Sequence, residues 1–210
     1  MSLPNFKKFL IFLILGLTAC GSDESAGPQL PDTSEISIAP HSNKTEDLLA
    51  ATDVQAVINQ DGRIFSEVLE ARRRGIWFDV ANGRTDHLRW DTFDEIMSTG
   101  FWPDTISTDG FSTSRSAPSV RDYPNVMSKF LNFGMNIKSV VAASTLIPSR
   151  VFPFLRDKGT LNIGAPADVA VLDLQEGNFQ FVDNYENVRY GAYRFFPFET
   201  ILSGRKVARA

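Results

Sequence analysis

The stretch "WPDTISTDGF", residues 102–111, is the most informative part of this sequence for the fold. A short buried strand is predicted over 104–108, and it runs directly into Asp109 and Gly110. Active sites of parallel α/β folds lie at the carboxyl ends of strands, so Asp109 is a candidate for metal binding or proton transfer. Asp–Gly pairs also form turns readily, and a capped turn is the alternative.

Helical and strand-like segments alternate around this stretch. Apolar residues at helical spacing, each segment followed by a glycine or a loop, predict four helices, and two short apolar runs predict strands. The helices are predicted over 61–75, 92–100, 124–134 and 136–145, and the strands over 76–80 and 104–108. This alternation predicts βα units and a parallel sheet in which the two strands lie side by side.

The pattern changes after Gly159. Short apolar runs separated by turn residues predict several short strands over 159–210, with Ser203–Gly204 as a hairpin turn. The chain is therefore predicted to be α/β, with an antiparallel β-portion at its end.

The first 20 residues look like a secretion signal. Lys7 and Lys8 precede the apolar run 9–17, and Leu-Thr-Ala leads into Cys20. The order resembles the lipobox of bacterial lipoproteins, which implies lipidation of Cys20 and anchoring to a membrane of the cell envelope. Gly21 favours the outer membrane by the same resemblance. An ordinary signal peptide with an incidental cysteine is the alternative. Residues 21–60 are predicted to be a tether followed by a weakly patterned segment.

Composition narrows the class of partner. The 210 residues are 43% hydrophobic and 22% charged, with a net charge of -4, so a nucleic-acid partner is not expected. The single cysteine excludes an internal disulfide.

Four segments in the same order point to one family: "GIWFDVANG" (75–83), "GFWPDTISTD" (100–109), "YPNVMSKFLNFGM" (123–135) and "GTLNIGAPADVAVLDL" (159–174). Together they resemble the C-terminal half of metal-dependent amidohydrolases, in the branch of dihydroorotase-like deacetylases. The resemblance implies a (β/α)8 TIM-type barrel with a small β-sandwich. Residues 61–158 would then be the last few barrel units, and residues 159–210 part of the sandwich.

The resemblance also implies the chemistry. The family hydrolyses carbon–nitrogen bonds of non-peptide amides and N-acyl groups with divalent metals, usually zinc. The metals are held by a His-x-His pair, a carboxylated lysine, two later histidines and an aspartate that ends the last barrel strand. The metals lower the pKa of a bridging water, and the aspartate binds metal and moves the proton. Asp109 matches that aspartate.

This chain departs from the family pattern in its ligands. It has only two histidines, His41 and His87, so a His-x-His pair is impossible. Asn82 stands where the family has a histidine, and an amide is a poor zinc ligand. Asn82, His87 and Arg115 are candidates for the substrate side of the site, although a solvated loop position is the favoured interpretation for His87 and Arg115.

The length of the chain also argues against a complete barrel. A barrel needs roughly 250 residues, far more than the units visible here. No lysine falls on a predicted inner strand, and Lys129 lies on the predicted helix 124–134. We therefore expect a truncated family member that is inactive alone, with a possible partner chain or oligomer completing the barrel. The alternative is a non-catalytic lipoprotein remnant or docking subunit.

Overall fold

The computed structural model describes residues 9–14, 57–59, 61–83, 88–108 and 117–208. In chain order the elements are β1 (Phe9–Ile14), α1 (Ser66–Arg73), β2 (Asp79–Ala81), α2 (Trp90–Ser98), β3 (Thr105–Ser107), α3 (Tyr123–Asn132), α4 (Ile137–Ser144), α5 (Leu146–Val151), a 3₁₀ turn (Pro153–Leu155), β4 (Val169–Val182), β5 (Val188–Leu202) and β6 (Arg205–Lys206). The chain is mixed α/β, and the described part of it forms no closed barrel.

The predicted parallel pairing of the two central strands is confirmed. β2 and β3 form a parallel two-stranded sheet in which Val80 is opposite Ile106, and α2 lies between them in the sequence. β2 begins later than predicted because the backbone amides before it donate to groups that are not on β3. The amide of Ile76 donates to Ala71 O at the end of α1 (3.0 Å), and that of Phe78 donates to Asp104 Oδ2 (2.8 Å).

The helices predicted over 92–100, 124–134 and 136–145 form within two residues of those bounds, and local signals set their ends. The helix predicted from residue 61 begins only at Ser66, because Ile58 and Ile64 form a bridge before it. Asp122 caps α3 by accepting from Asn125 N, and Asn136 caps α4 in the same way. Gly134 follows α3 with a φ of 102°, a conformation that glycine adopts without steric cost.

The prediction of several short strands after Gly159 is wrong. β4 and β5 form one long antiparallel hairpin of 14 and 15 residues. The register shifts between Val171 and Leu172 and between Glu176 and Phe179. Bulges of this kind accommodate residues such as Gly177 without ending the ladder.

The predicted turn at Ser203–Gly204 is confirmed. It joins β5 to β6, with Leu202 opposite Arg205, and both turn residues have positive φ, 50° and 74°. Positive φ at both central positions is what a two-residue type I′ hairpin needs.

The C-terminal strands belong to a single four-stranded sheet in the order β1-β4-β5-β6. β1 pairs antiparallel with β4, with Phe9 opposite Leu174 and Ile14 opposite Val169. Part of the predicted secretion signal thus forms an edge strand of this sheet. Cleavage and lipidation stay predictions, and Cys20 lies outside the described residues.

One hydrophobic core joins the two parts of the chain. Phe93, Phe130 and Phe195 are at most 1% exposed, and they come from α2, α3 and β5 respectively. At the amino ends of β2 and β3, Arg72 of α1 donates to Asp104 Oδ2 (3.1 Å), and its guanidinium lies 3.8 Å from the ring centre of Phe101. The carboxyl ends of β2 and β3 lie at the opposite end of this sheet.

Candidate functional site

The carboxyl ends of β2 and β3 lie side by side, as the parallel pairing requires. Ala81 is opposite Ser107, and the amide of Asn82 donates to Ser107 O (2.9 Å). Asp109 comes two residues after β3 ends. Its side chain, like those of His87 and Arg115, lies outside the described residues, so the roles assigned to them stay predictions.

Asn82 is the one substrate-side candidate whose side chain the structure describes. It is fully buried. Its Nδ2 donates to Gly83 O and to Asn184 Oδ1, both at 3.2 Å, and its Oδ1 accepts from Lys129 Nζ (2.6 Å). Both polar atoms of the amide are thus bound by protein groups. Its predicted role towards a substrate is untested.

Lys129 is at the centre of this cluster. It projects from α3, is 1% exposed, and its Nζ donates to Asn82 Oδ1 (2.6 Å), Ser119 O (2.5 Å) and Val182 O (2.8 Å). Burial lowers the pKa of Lys129 to about 7, and the charge of Asp183 acts in the opposite direction. The three acceptors come from three separate segments of the chain.

Asp183 supplies the buried negative charge near this ammonium. Its Oδ1 accepts from the amides of Tyr185 (2.8 Å) and Asn187 (2.9 Å), and its Oδ2 accepts from Trp90 N (3.2 Å) and Asn187 Nδ2 (3.0 Å). Four donors stabilise a carboxylate that is 1% exposed. The turn between β4 and β5 is thereby bound to the start of α2.

Asn184 adds a second bridge between the same segments. Its Oδ1 accepts from Leu88 N (2.8 Å), and its Nδ2 donates to Gly83 O (2.6 Å) and Ser119 Oγ (3.3 Å). We call Asn82, Ser119, Lys129, Asp183 and Asn184 the polar junction.

A separate polar group lies on the other face of β2 and β3. Asp79 is exposed and accepts from Thr105 Oγ1 and Ser107 Oγ, both at 2.6 Å. Tyr123 of α3 donates from its hydroxyl to Ile106 O (2.8 Å), and burial raises the pKa of Tyr123 to about 12. Asp79 is thus a carboxylate with two hydroxyl donors, and it is the first residue of β2.

The described residues do not by themselves fit a divalent metal. Within ranges 57–59, 61–83, 88–108 and 117–208, no three His, Cys, Asp or Glu side chains come together. The oxygens of Asp79 and Asp183 are taken up by protein donors. Both histidines and Asp109 fall outside those ranges. The described portion also contains no helix long and apolar enough to cross a membrane.

Comparison with known proteins gives partial matches. No protein-family model matches the chain. A deacetylase of Enterococcus faecalis is 27% identical over 136 residues, which are 65% of this chain and 36% of the relative. Two solved structures, both of amidohydrolase superfamily members, are also similar to this chain.

An adenine deaminase superposes with a TM-score of 0.68 and 25% identity, over 74% of this chain and 42% of the deaminase. A dihydroorotase superposes with a TM-score of 0.59 and 27% identity, over 68% of this chain and 38% of the dihydroorotase. The chain thus spans about two fifths of the length of these superfamily members, as a C-terminal half would.

Lys129 is the residue that the sequence analysis missed. It was assigned to a helix and set aside because no inner strand carries it. The signal was present in the spacing: Lys129 follows Val126 by three residues and precedes Phe133 by four, which puts it on the apolar face of α3. A lysine on an apolar helix face requires buried acceptors, and it finds them here.

Proposed function

We propose that this chain is the C-terminal part of a metal-dependent hydrolase of carbon–nitrogen bonds in non-peptide amides or N-acyl compounds. The observation that carries the proposal is the parallel pair β2–β3, whose carboxyl ends meet two residues before Asp109, in a chain related to a deacetylase and a dihydroorotase. In this proposal, the α/β part is the last few units of a (β/α)8 barrel, and Asp109 is the ligand and proton carrier at the end of the last strand.

The chain alone has too few ligands for this reaction. A catalytic zinc takes about three protein ligands, chiefly histidines, and this sequence has two histidines in total. We therefore derive no catalytic step within the single chain. Activity would require the remaining barrel strands, the missing histidines and the lysine to come from outside these 210 residues, for example from a second polypeptide.

The second candidate is a non-catalytic docking subunit. Large apolar side chains are exposed on the C-terminal part: Phe154 is 73% exposed, Tyr190 61% and Ile163 fully. Exposed apolar side chains of this size favour a surface covered by another protein. In either candidate, lipidated Cys20 would anchor the chain to the bacterial cell envelope, with the outer membrane as the proposed location.

The test separates the two candidates. The purified chain is assayed for bound zinc by elemental mass spectrometry and for hydrolysis of N-acetylated amino acids and cyclic amides. The assays are repeated with the polypeptides encoded beside it. We expect weak zinc binding and background turnover alone. If the first candidate holds, metal binding and activity appear together on mixing.

Asp109→Asn should abolish the activity of that mixture, whereas Asp61→Asn, at an exposed aspartate, should leave it intact. A partner that binds without activity would favour the docking subunit. Stoichiometric zinc with hydrolysis by the chain alone would contradict the single-chain argument.

A further inference from the structure

Lys129 presents three donors to three acceptors in a site closed to water. An ammonium carries three N–H groups, and here they meet Asn82 Oδ1, Ser119 O and Val182 O at 2.6, 2.5 and 2.8 Å. No carboxylate is bonded to it in the described residues. A buried charge is costly unless hydrogen bonds satisfy it, so this arrangement specifies the geometry of all three acceptors.

Each acceptor belongs to a segment whose position matters for the proposed site. Asn82 directly follows β2, Ser119 lies on the path from β3 to α3, and Val182 ends β4. Asp109, in turn, lies between β3 and Ser119 in the sequence. The ammonium therefore connects both chain segments that leave the parallel sheet to a third, rigid element.

We propose that Lys129 is a positioning residue, whose ammonium holds Asn82, directly after β2, and Ser119, before α3, in place against the end of β4. The proposal does not depend on hydrolysis by this chain. It concerns only the placement of Asn82, Ser119 and Val182 relative to one another.

Charged groups on the neighbouring elements define how Lys129 titrates. Asp183, directly after β4, favours the ammonium. The hydrogen bond to Asp94 is the main reason that the pKa of Arg189 on β5 is raised, and the charge of Asp183 adds to that rise. The ring of Trp90, at the start of α2, lies 5.4 Å from Nζ. Burial is the larger effect and brings the pKa of Lys129 to about 7. Above that pH the amine has two N–H groups, and one of the three acceptors loses its donor.

The first experiment is a titration of the unaltered chain by NMR. Nζ of Lys129 is followed with the backbone amides of Asn82, Leu88 and Asn184, each of which donates within the junction or next to it. We expect the three amides to shift with the same midpoint as Nζ. If Nζ titrates while these amides stay unchanged, Lys129 does not position the segments.

The second experiment compares hydrogen exchange in two variants. Lys129→Met shortens the side chain by one atom and removes the charge and the donors. Lys158→Met is the control, because Lys158 is also largely buried but pairs with Asp168 in another part of the fold. We expect exchange at the three junction amides to become at least about tenfold faster in Lys129→Met, relative to the amide of Ser144, and not in Lys158→Met.

Equal acceleration at every amide in both variants would reduce Lys129 to a general stabilising residue and overturn the proposal. If Lys129→Met does not fold, the titration of the unaltered chain decides the question. Asn82→Asp adds a further check, since a carboxylate next to Nζ should raise the midpoint of both Nζ and the junction amides.

Discussion

The parallel pair β2–β3 and the antiparallel hairpin β4–β5 are stabilised in different ways. The hairpin has two long strands, a continuous ladder and a buried phenylalanine, Phe195, against α3. The parallel pair has three residues per strand, and the segments that leave it are held by the polar junction around Lys129. Apolar burial can be supplied by many residue combinations, whereas a buried ammonium requires its acceptors at fixed places.

The largest loss of stability should come from removing a buried apolar side chain of the β4–β5 hairpin. Phe195→Ala removes a side chain with no exposure and is expected to lower the free energy of unfolding by about 3–5 kcal/mol. Urea denaturation followed by circular dichroism measures it. Phe198→Ala, at a side chain 59% exposed, is the control and should change the stability by less than about 0.5 kcal/mol. Similar losses in both variants would mean that the hairpin does not pack as described.

On the polar side, Lys129→Met should cost about 2–4 kcal/mol, because it leaves three buried oxygens without their donor while removing the cost of burying a charge. Denaturant unfolding near pH 6 measures the change. Lys138→Met on α4 is exposed and should be close to neutral. A stabilised Lys129→Met chain would show that apolar packing suffices here too, and the contrast between the two regions would fail.

The third prediction is that pH changes the stability contributed by the polar junction but not that contributed by the hairpin. The pKa of Lys129 is about 7 in the folded chain, against an ordinary value of 10.5. Between these values the unfolded chain holds the proton and the folded chain has released it, so stability should rise with pH, by up to about 1.4 kcal/mol per unit. The penalty of the buried charge is full below pH 7. Unfolding measured from pH 6 to 9 tests this.

The rise should be absent from Lys129→Met and unchanged in Phe195→Ala, whose loss is independent of protonation. A rise of the same slope in Lys129→Met would assign it to another group.

The smallest effect concerns the start of α3, the helix that carries Lys129. Asp122 accepts from Asn125 N (2.6 Å), and Asp122→Ala should cost about 1 kcal/mol. Thermal unfolding measures it, with Asp122→Asn as a variant that retains most of the capping. If Asp122→Ala also accelerates exchange at the junction amides, the position of Lys129 depends on this cap, and the two effects are coupled.

Much of the local structure was predictable because its signals are local. The apolar spacing of α1, α2, α3 and α4, the caps Asp122 and Asn136, and the turn at Ser203–Gly204 each depend on residues a few positions apart. The parallel pairing of β2 and β3 followed from the alternation of helices and strands. The length of β4 and β5 was not predicted, because turn-forming residues inside them are accommodated by bulges that only the partner strand makes possible.

The residues of the candidate site could also be predicted only in part. Asp109 could be singled out from the sequence, since a carboxylate after a short strand is a local pattern and the family motif includes it. Asn82 was identified as well, but its partners could not be. Lys129 is 47 residues from Asn82 and 53 from Val182 along the chain, and no local pattern specifies that they meet.

The sequence by itself determined the helices, the parallel strand pair, the position of Asp109 and the shortage of histidines, because each depends on residue identity or on spacing within one element. Only the tertiary structure decided which groups bind Lys129 on the apolar face of α3. They are the side-chain amide of Asn82 and the backbone carbonyls of Ser119 and Val182. The physical reason is that burying a charge is tolerated only where distant segments bring enough acceptors to one point, and that meeting is a property of the folded chain.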